Sequence, residues 1–531
     1  MGRLDEGGSR GECAGLFSLL DDIATTAAQA FGPVLRLAEA MFDVGPKMEV
    51  DLVTAGVWVP IATALLADAG IKMAIFSPGI ASILQANYIA LDTFLAELAE
   101  RLLKEVPIGD GVEASDSGNT CVTVESLHFR PAVTSAIIQR AQSRIYSHPK
   151  TAEFSKRWNL PIYYQLRFGE CCNRLNKAVD HTRKGGWVAA VFTGGEDRAE
   201  WIKAKAGFEL PLFLELYDLL LGLWRPDVIL RPLAHRFLRG AVQLVGRTLS
   251  FIREGLEGKI MFGADKDEDR TSNGNGSNGD ATGPIMRYPT RTPYCWGESE
   301  QDVAAVAWEL AILETELVHD YVTTVCDALH GRDESTESQR KELREIAAEV
   351  LKEASEQIRP LIDCSWNEVI VKILTSKCSA PLAAVKGVAA TYRMTNRPPP
   401  TQASPFVATI LRPVKEFDND FMNRTPNHVG KKWKHLIVST VAERYAAAVE
   451  ELITTVQRTE VALQNRRARR AASGGVSDGD KVKLQLYLDF KEFSRNVEEV
   501  GVDLSSIAGI AQLKTLTGEA EQLIQQNQNG S

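Results

Sequence analysis

Apolar residues recur at three- and four-residue steps along most of this chain, and that spacing decides what it can fold into. Val303, Val306, Leu310, Leu313 and Leu317 step 3, 4, 3, 4, and Tyr321 and Val325 prolong the stripe. Leu343, Ala347, Val350, Ala354, Ile358 and Leu361 repeat the pattern, as do Val441, Tyr445, Ala448, Leu452, Val456 and Leu463, and then Leu486, Phe490, Phe493, Val497 and Val500. Residues three and four apart lie on one side of an α-helix, so each run predicts a long amphipathic helix whose stripe needs other helices to cover it. Almost no segment alternates at the two-residue period of a strand. The expected fold class is all-α.

Where the periodicity stops, boundaries are expected. Residues 1–12 read as a disordered N-terminus, 13–108 as a helical block, 109–120 as a polar loop and 121–262 as a helical bundle. Next come a disordered low-complexity insertion at 263–299, a second bundle at 300–472, a linker at 473–480 and C-terminal amphipathic helices at 481–527. The insertion opens with GADKDEDRTSNGNGSNGDATG, Gly263 to Gly283, which holds too little apolar surface to order itself. The blocks do not resemble one another at a fixed period, which argues against a helical-repeat solenoid. At 531 residues the chain has the length of roughly three or four domains, or of an elongated array of smaller units.

Composition narrows the function classes. An apolar fraction of 44% and a charged fraction of 24% are those of a folded globular chain. A net charge of -9 provides no global basic footprint, so nucleic acid is not an expected partner. The eight cysteines are scattered without a C-x-x-C pair, which fits idle thiols in a reducing compartment. The N-terminus lacks the apolar core of a signal peptide, and Glu6 stands where a myristoylation signal needs Ser or Thr. Leu52 to Ala67 is the most membrane-like run, but it is shorter than the roughly 20 residues a spanning helix needs and contains Pro60. A buried helix or helix pair is expected there, with an integral membrane protein as the rival.

No phosphate-binding loop, dinucleotide fingerprint, H-E-x-x-H or G-x-S-x-G is present. The dispersed histidines, including His435 near Trp433, show no metal-pair spacing, and tandem Cys171 and Cys172 diverge by about 100° on a helix. The expectation is no catalytic residue, no metal, no cofactor and no enzyme, with an unfamiliar helical active site as the rival reading. Arg466, Arg467, Arg469 and Arg470 form a basic patch closing a long helix, where cations suit the negative end of the dipole and a local anionic partner is the alternative.

One stretch, KRWNLPIYYQLRFGE from Lys156, crowds aromatics around a proline. Asn159 is a suitable N-cap and Pro161 fits the first helical turn. Tyr164, Phe168, Cys172, Leu175 and Val179 then form one apolar face, Glu170 is placed to pair with Arg174, and Trp158 with Phe154 staples the start. Trp158, Tyr164 and Phe168 are therefore packing or interaction candidates, with Trp158 and Phe168 expected in the core of the 121–262 block. In the last segment Ser477 or Asp478 can cap a helix, and Leu486, Phe490, Phe493 and Val497 present a seam to a partner helix. The partner is expected to be another subunit, with the chain's own bundle as the alternative.

RWNLPIYYQLRFGE resembles a segment of the family of subunit 2 of the conserved oligomeric Golgi complex. Three further stretches agree in order: RPLAHRFLRGAVQLVGR from Arg231, YRMTNRPPPTQASPFVATILRPV from Tyr392 and SDGDKVKLQLYLDFKEF from Ser477. The resemblance implies a vesicle-tethering assembly built of helical rods, peripheral on the cytosolic face of the Golgi membrane and acting in retrograde transport. It implies sister subunits as partners, together with SNAREs and Rab GTPases, and no enzymatic activity. Members of that family begin with a long coiled-coil segment, whereas this chain starts directly in a helical block, so it is expected to be a C-terminal portion. A subunit of a related helical-rod tether such as the exocyst is the nearest rival.

Long surface loops add little closure entropy. Deleting residues 263–283 should therefore leave helicity and melting temperature nearly unchanged, and a drop of several degrees would show that the segment packs.

Overall fold

The structure is a computed structural model that describes residues 14–44, 51–104, 133–189, 192–262, 294–330, 337–393, 397–467 and 477–528. The described residues are almost wholly helical. The helices are α1 (Ala14–Val44), α2 (Val59–Ala67), α3 (Ala69–Phe76), α4 (Ala81–Leu103), α5 (Ser135–Ser147), α6 (Pro149–Ser155), α7 (Leu160–Ala189), α8 (Glu196–Ala206), α9 (Pro211–Gly222) and α10 (Ala234–Leu256). There follow α11 (Glu300–Val318), α12 (Asp320–His330), α13 (Glu337–Glu356), α14 (Arg359–Cys364), α15 (Val371–Ser379), α16 (Val388–Tyr392), α17 (Val407–Ile410), α18 (Arg412–Phe421), α19 (Lys432–Arg467), α20 (Asp478–Val500) and α21 (Ala508–Gln528). One two-residue antiparallel pair, β1 (Met261–Phe262) with β2 (Tyr294–Cys295), is the strand content of the described residues.

The chain divides into two compact units, one of residues 1–172 with 222–240 and the other of 173–221 with 241–531. The division falls inside the segment 121–262 rather than at its ends. In the first unit α1 lies along α4, and α5 and α6 close the core. Leu52–Ala67 does not form one straight helix. A π-helical stretch, Leu52–Trp58, runs into α2, and α3 turns away from them by 96°. Asp51 accepts from the Thr54 N–H at 2.9 Å, and Asp68 from Ile71 at 2.8 Å, so each start has its cap. Val53, Trp58, Ala62 and Phe76 are buried in the unit's core. Among the described residues no single helix is long and apolar enough to cross a membrane, although this bent pair passes that test jointly. The Trp58 indole N–H donates to Thr151 Oγ1 at 2.6 Å, so this buried ring also has its polar atom answered.

In the second unit Val303, Val306, Leu310, Leu313 and Leu317 of α11 are all buried. The stripe does not continue straight: the backbone leaves helical geometry at His319 (φ -109°, ψ -82°) and α12 restarts with Tyr321 and Val325 inward. The run from Leu343 likewise breaks between α13 and α14. Trp366, fully buried, meets Phe417 and Trp433 at centroid distances of 5.8 and 5.7 Å. α19, about 54 Å long at 1.5 Å per residue over its 36 residues, carries α21 along one side. A Cβ at Gly509 of α21 would stand 2.5 Å from the Glu443 backbone nitrogen, so only a glycine permits that approach.

The expected disorder of 263–299 needs correction at its end. Tyr294 to Ser299 are placed, and Trp296 is fully buried, 5.1 Å edge-on from Trp187. An indole of that size gains too much from burial to stay in water, whatever the composition of the residues before it. Residues 263–293, like 1–13 and the 109–120 loop, lie outside the described residues.

Two buried carboxylates fix how α9 is held. Glu215 accepts from Arg174 at 2.6 Å and from the Thr193 N–H at 3.0 Å. Arg174 also reaches Asp218, so its expected pairing with Glu170 does not form, and Glu170 meets Arg167 at 3.4 Å instead. A carboxylate with no solvent commands the nearby cation more strongly than an exposed one does. Glu309 of α11 accepts from the Glu209 and Leu210 N–H groups at 2.7 and 3.1 Å, supplying from another helix an acceptor just before α9 begins.

Burial pushes the Glu309 carboxyl up to about 8, against those two donors, which pull it down. A group raised in the folded state holds a proton that the unfolded chain has released. Its contribution is thus complete below the ordinary carboxyl value of 4.5 and is lost as pH climbs to about 8. Glu309→Gln keeps the acceptor and removes the titration. Melting temperature of the unaltered chain should fall relative to that variant across this window, and parallel curves would refute the assignment.

Candidate functional site

Three prolines in succession, Pro398 to Pro400, deprive the segment after α16 of N–H donors and keep it out of a helix. Something else must hold it, and α20 does. The Asp489 carboxylate, fully buried, accepts from the Ser404 N–H at 2.6 Å and from the Ser404 hydroxyl at 2.8 Å. Gln485, one turn earlier, donates through Nε2 to Asp489 at 2.9 Å and to the Gln402 carbonyl at 2.9 Å. Its amide oxygen accepts from the Tyr392 hydroxyl at 2.7 Å. Burial raises the Asp489 carboxyl while its three donors lower it. A helix and an irregular segment are thus joined by a chain of satisfied polar groups.

The seam on α20 is placed beside this network. Leu486, Phe493 and Val497 are buried and Phe490 is half-buried. The expectation that another subunit covers them is corrected: α20 packs on α16, α17, α19 and α21 of its own chain, and Phe493 meets Tyr445 edge-on at 5.2 Å. The physical reason is the width of the buried face. Val482, Gln485, Asp489 and Asn496 flank the seam and are buried too, so the helix sits in a groove of its own bundle rather than presenting a narrow stripe. Ser477 accepts from the Asp480 N–H at 3.0 Å and is the cap.

The aromatic stretch before and within α7 is distributed differently from expectation. Its fully buried member is Tyr163, whose hydroxyl donates to the Val228 carbonyl. Tyr164 and Phe168 are half-buried and stack on each other at 5.5 Å. Tyr164 also meets Phe237 of α10 at 5.4 Å, and a Cβ at Gly240 would stand 2.9 Å from the Phe168 ring. Trp158 is half-buried and packs on Phe76 and Tyr88 at 4.7 and 5.2 Å. Neither Trp158 nor Phe168 is therefore a fully buried core residue of the 121–262 block. The neighbours of Trp158 come from α3 and α4, because a short helix, α6, delivers it to the core that already holds Phe154.

Of the basic patch, Arg466 and Arg467 end α19 with side chains outside the described residues, and Arg469 and Arg470 lie outside them altogether. Among the described residues no group of three His, Cys, Asp or Glu is placed to hold a metal ion.

Two of the recognisable stretches thus meet at α7 and α10, and the other two at residues 402–404 and α20. Aromatic packing ties the first pair and buried polar groups the second, and both join elements distant in the sequence of a helical protein. The family profile described as "COG complex component, COG2, C-terminal" matches residues 156–490, and the chain belongs to that family. Curated relatives named "Conserved oligomeric Golgi complex subunit 2" include one from Arabidopsis thaliana, 27% identical over 67% of this chain and 43% of its own length. Those from Homo sapiens and Drosophila melanogaster are 24% and 20% identical, covering 72% and 71% of this chain and 50% and 48% of their own. The chain spans about half the length of the curated relatives it matches. No solved structure matches it.

Removing the Asp489 carboxylate strands the Ser404 N–H and one donor of Gln485 away from water. At about 1 to 3 kcal/mol for each orphaned group, Asp489→Ala should destabilise by roughly 2 to 5 kcal/mol. Chemical denaturation measures this, and a neutral result would mean that the network is open to solvent.

Proposed function

We propose that this chain is a non-enzymatic subunit of a multisubunit vesicle-tethering complex at the Golgi. It acts in retrograde intra-Golgi transport and Golgi organisation, peripheral on the cytosolic face of the membrane. Sister subunits are its constitutive partners, and SNAREs and Rab GTPases are the partners met during vesicle capture. The observation carrying this reading is the family match over residues 156–490, which takes in three of the four recognisable stretches and most of the fourth. Buried polar groups such as Asp489 and Glu215 are engaged in holding helices, a use that suits a scaffold.

The test is affinity purification of the tagged native protein followed by identification of what accompanies it. Subunits of the oligomeric Golgi complex should be recovered in fixed ratio. Recovery of exocyst subunits instead, or of a folded protein with no companion, would overturn the reading.

A further inference from the structure

From Val228 to Arg253 the chain carries Arg231, Arg236, Arg239, Arg247 and Arg253 and not one aspartate or glutamate, in a protein of net charge -9. α10 turns Phe237, Ala241, Leu244, Val245, Leu249 and Ile252 inward. Its outward residues include His235, Arg239, Gln243, Arg247, Ser250, Arg253 and Glu254, with Arg236 half-exposed beside them. Arg236, Arg239, Arg247 and Arg253 make no ion pair among the described residues. Arg236 and Arg239 also stand in the first two turns of α10, where the positive end of the helix dipole disfavours a cation. Neither an ion pair nor the dipole therefore accounts for Arg236, Arg239 and Arg247, whereas Arg253 stands in the last turn of α10, where the dipole favours it, and acts on Glu257.

The same face offers no large exposed apolar side chain on α10. Protein interfaces concentrate their energy in a buried aromatic or apolar anchor, which is missing here. A row of guanidinium groups spread over about 26 Å from Arg236 to Arg253, with Glu254 near its end the one carboxylate of α10, suits a diffuse plane of negative charge better than a docked peptide. Guanidinium also matches phosphate geometrically, through paired N–H donors.

We propose that the outward face of α10, through Arg236, Arg239, Arg247 and Arg253, is a contact surface for the phosphate headgroups of an anionic membrane. This rests on the peripheral-membrane part of the function above and assigns that contact to one face.

Flotation of the purified full chain with vesicles tests it, using phosphatidylcholine containing about 30% phosphatidylserine against phosphatidylcholine alone. Binding should require the anionic lipid and weaken as salt is raised. The double variant R236Q/R239Q should bind about 30-fold more weakly, which is roughly 1 kcal/mol for each lost charge, with an unchanged melting temperature. R247Q/R253Q serves as an independent second pair if the first alters folding. Equal binding by the variants, or loss of binding on neutralising Arg466, Arg467, Arg469 and Arg470 instead, would overturn the assignment. Binding to polyglutamate with none to vesicles would overturn it in favour of an acidic protein partner. Co-purification separates the two readings: sister subunits recovered by a chain that does not float would remove this surface and leave the tether, and flotation without them would do the reverse.

Discussion

A carboxylate removed from solvent has to be answered by whatever surrounds it, and Asp489 is answered from a segment 85 residues earlier in the chain. That demand sets the position of α20. Once Ser404 and Gln402 are held, α17 begins a few residues on and packs against α20, and Tyr392 at the end of α16 is tied in through Gln485. The apolar seam alone could slide by a turn with modest loss. The polar partners cannot, because a shift of one turn would carry Gln485 and Asp489 away from Gln402 and Ser404. Glu215 and Glu309 apply the same constraint around α9, one through Arg174 and Thr193, the other through two backbone N–H groups. An apolar substitute at such sites can match their stability, so register rather than net energy is the better account of their presence.

The stretches through which the family is recognisable are also those where residues distant in sequence meet. Tyr163 and Phe168 meet Val228 and Gly240, and Tyr392, Gln402 and Ser404 meet Gln485 and Asp489. At relatives' identities of 20 to 27%, most of the surface can drift while such pairs require specific partners. Packing between distant elements is by itself enough to explain motifs of this kind.

The helical class was legible from spacing alone, since the stripe of α11 repeats without ambiguity and its residues are buried as a set. The break at His319 was not, because no glycine or proline marks it. Gln485 and Asp489 were hidden for a related reason. Polar residues one turn apart on an amphipathic helix read as the solvent side, and only the proline-rich segment folded against them makes that side an interior. Arg174 was misread in the same way, as paired with Glu170 on its own helix rather than with the buried Glu215. Spacing reports which face is apolar, and it is silent on which polar groups will be enclosed by chain that arrives later.

That order of arrival has a biosynthetic side. A ribosome adding 5 to 20 residues per second needs about 4 to 17 s to pass from Ser404 to Asp489, so the proline segment emerges with its acceptor still unmade. Tyr445, on α19, likewise waits for Phe493. For those seconds the side of α19 that carries Tyr445 lacks the cover that α20 gives it, while α15, already made, packs on the same helix. The helix that closes this groove is therefore also the one that has to be synthesised before the proline segment can be held.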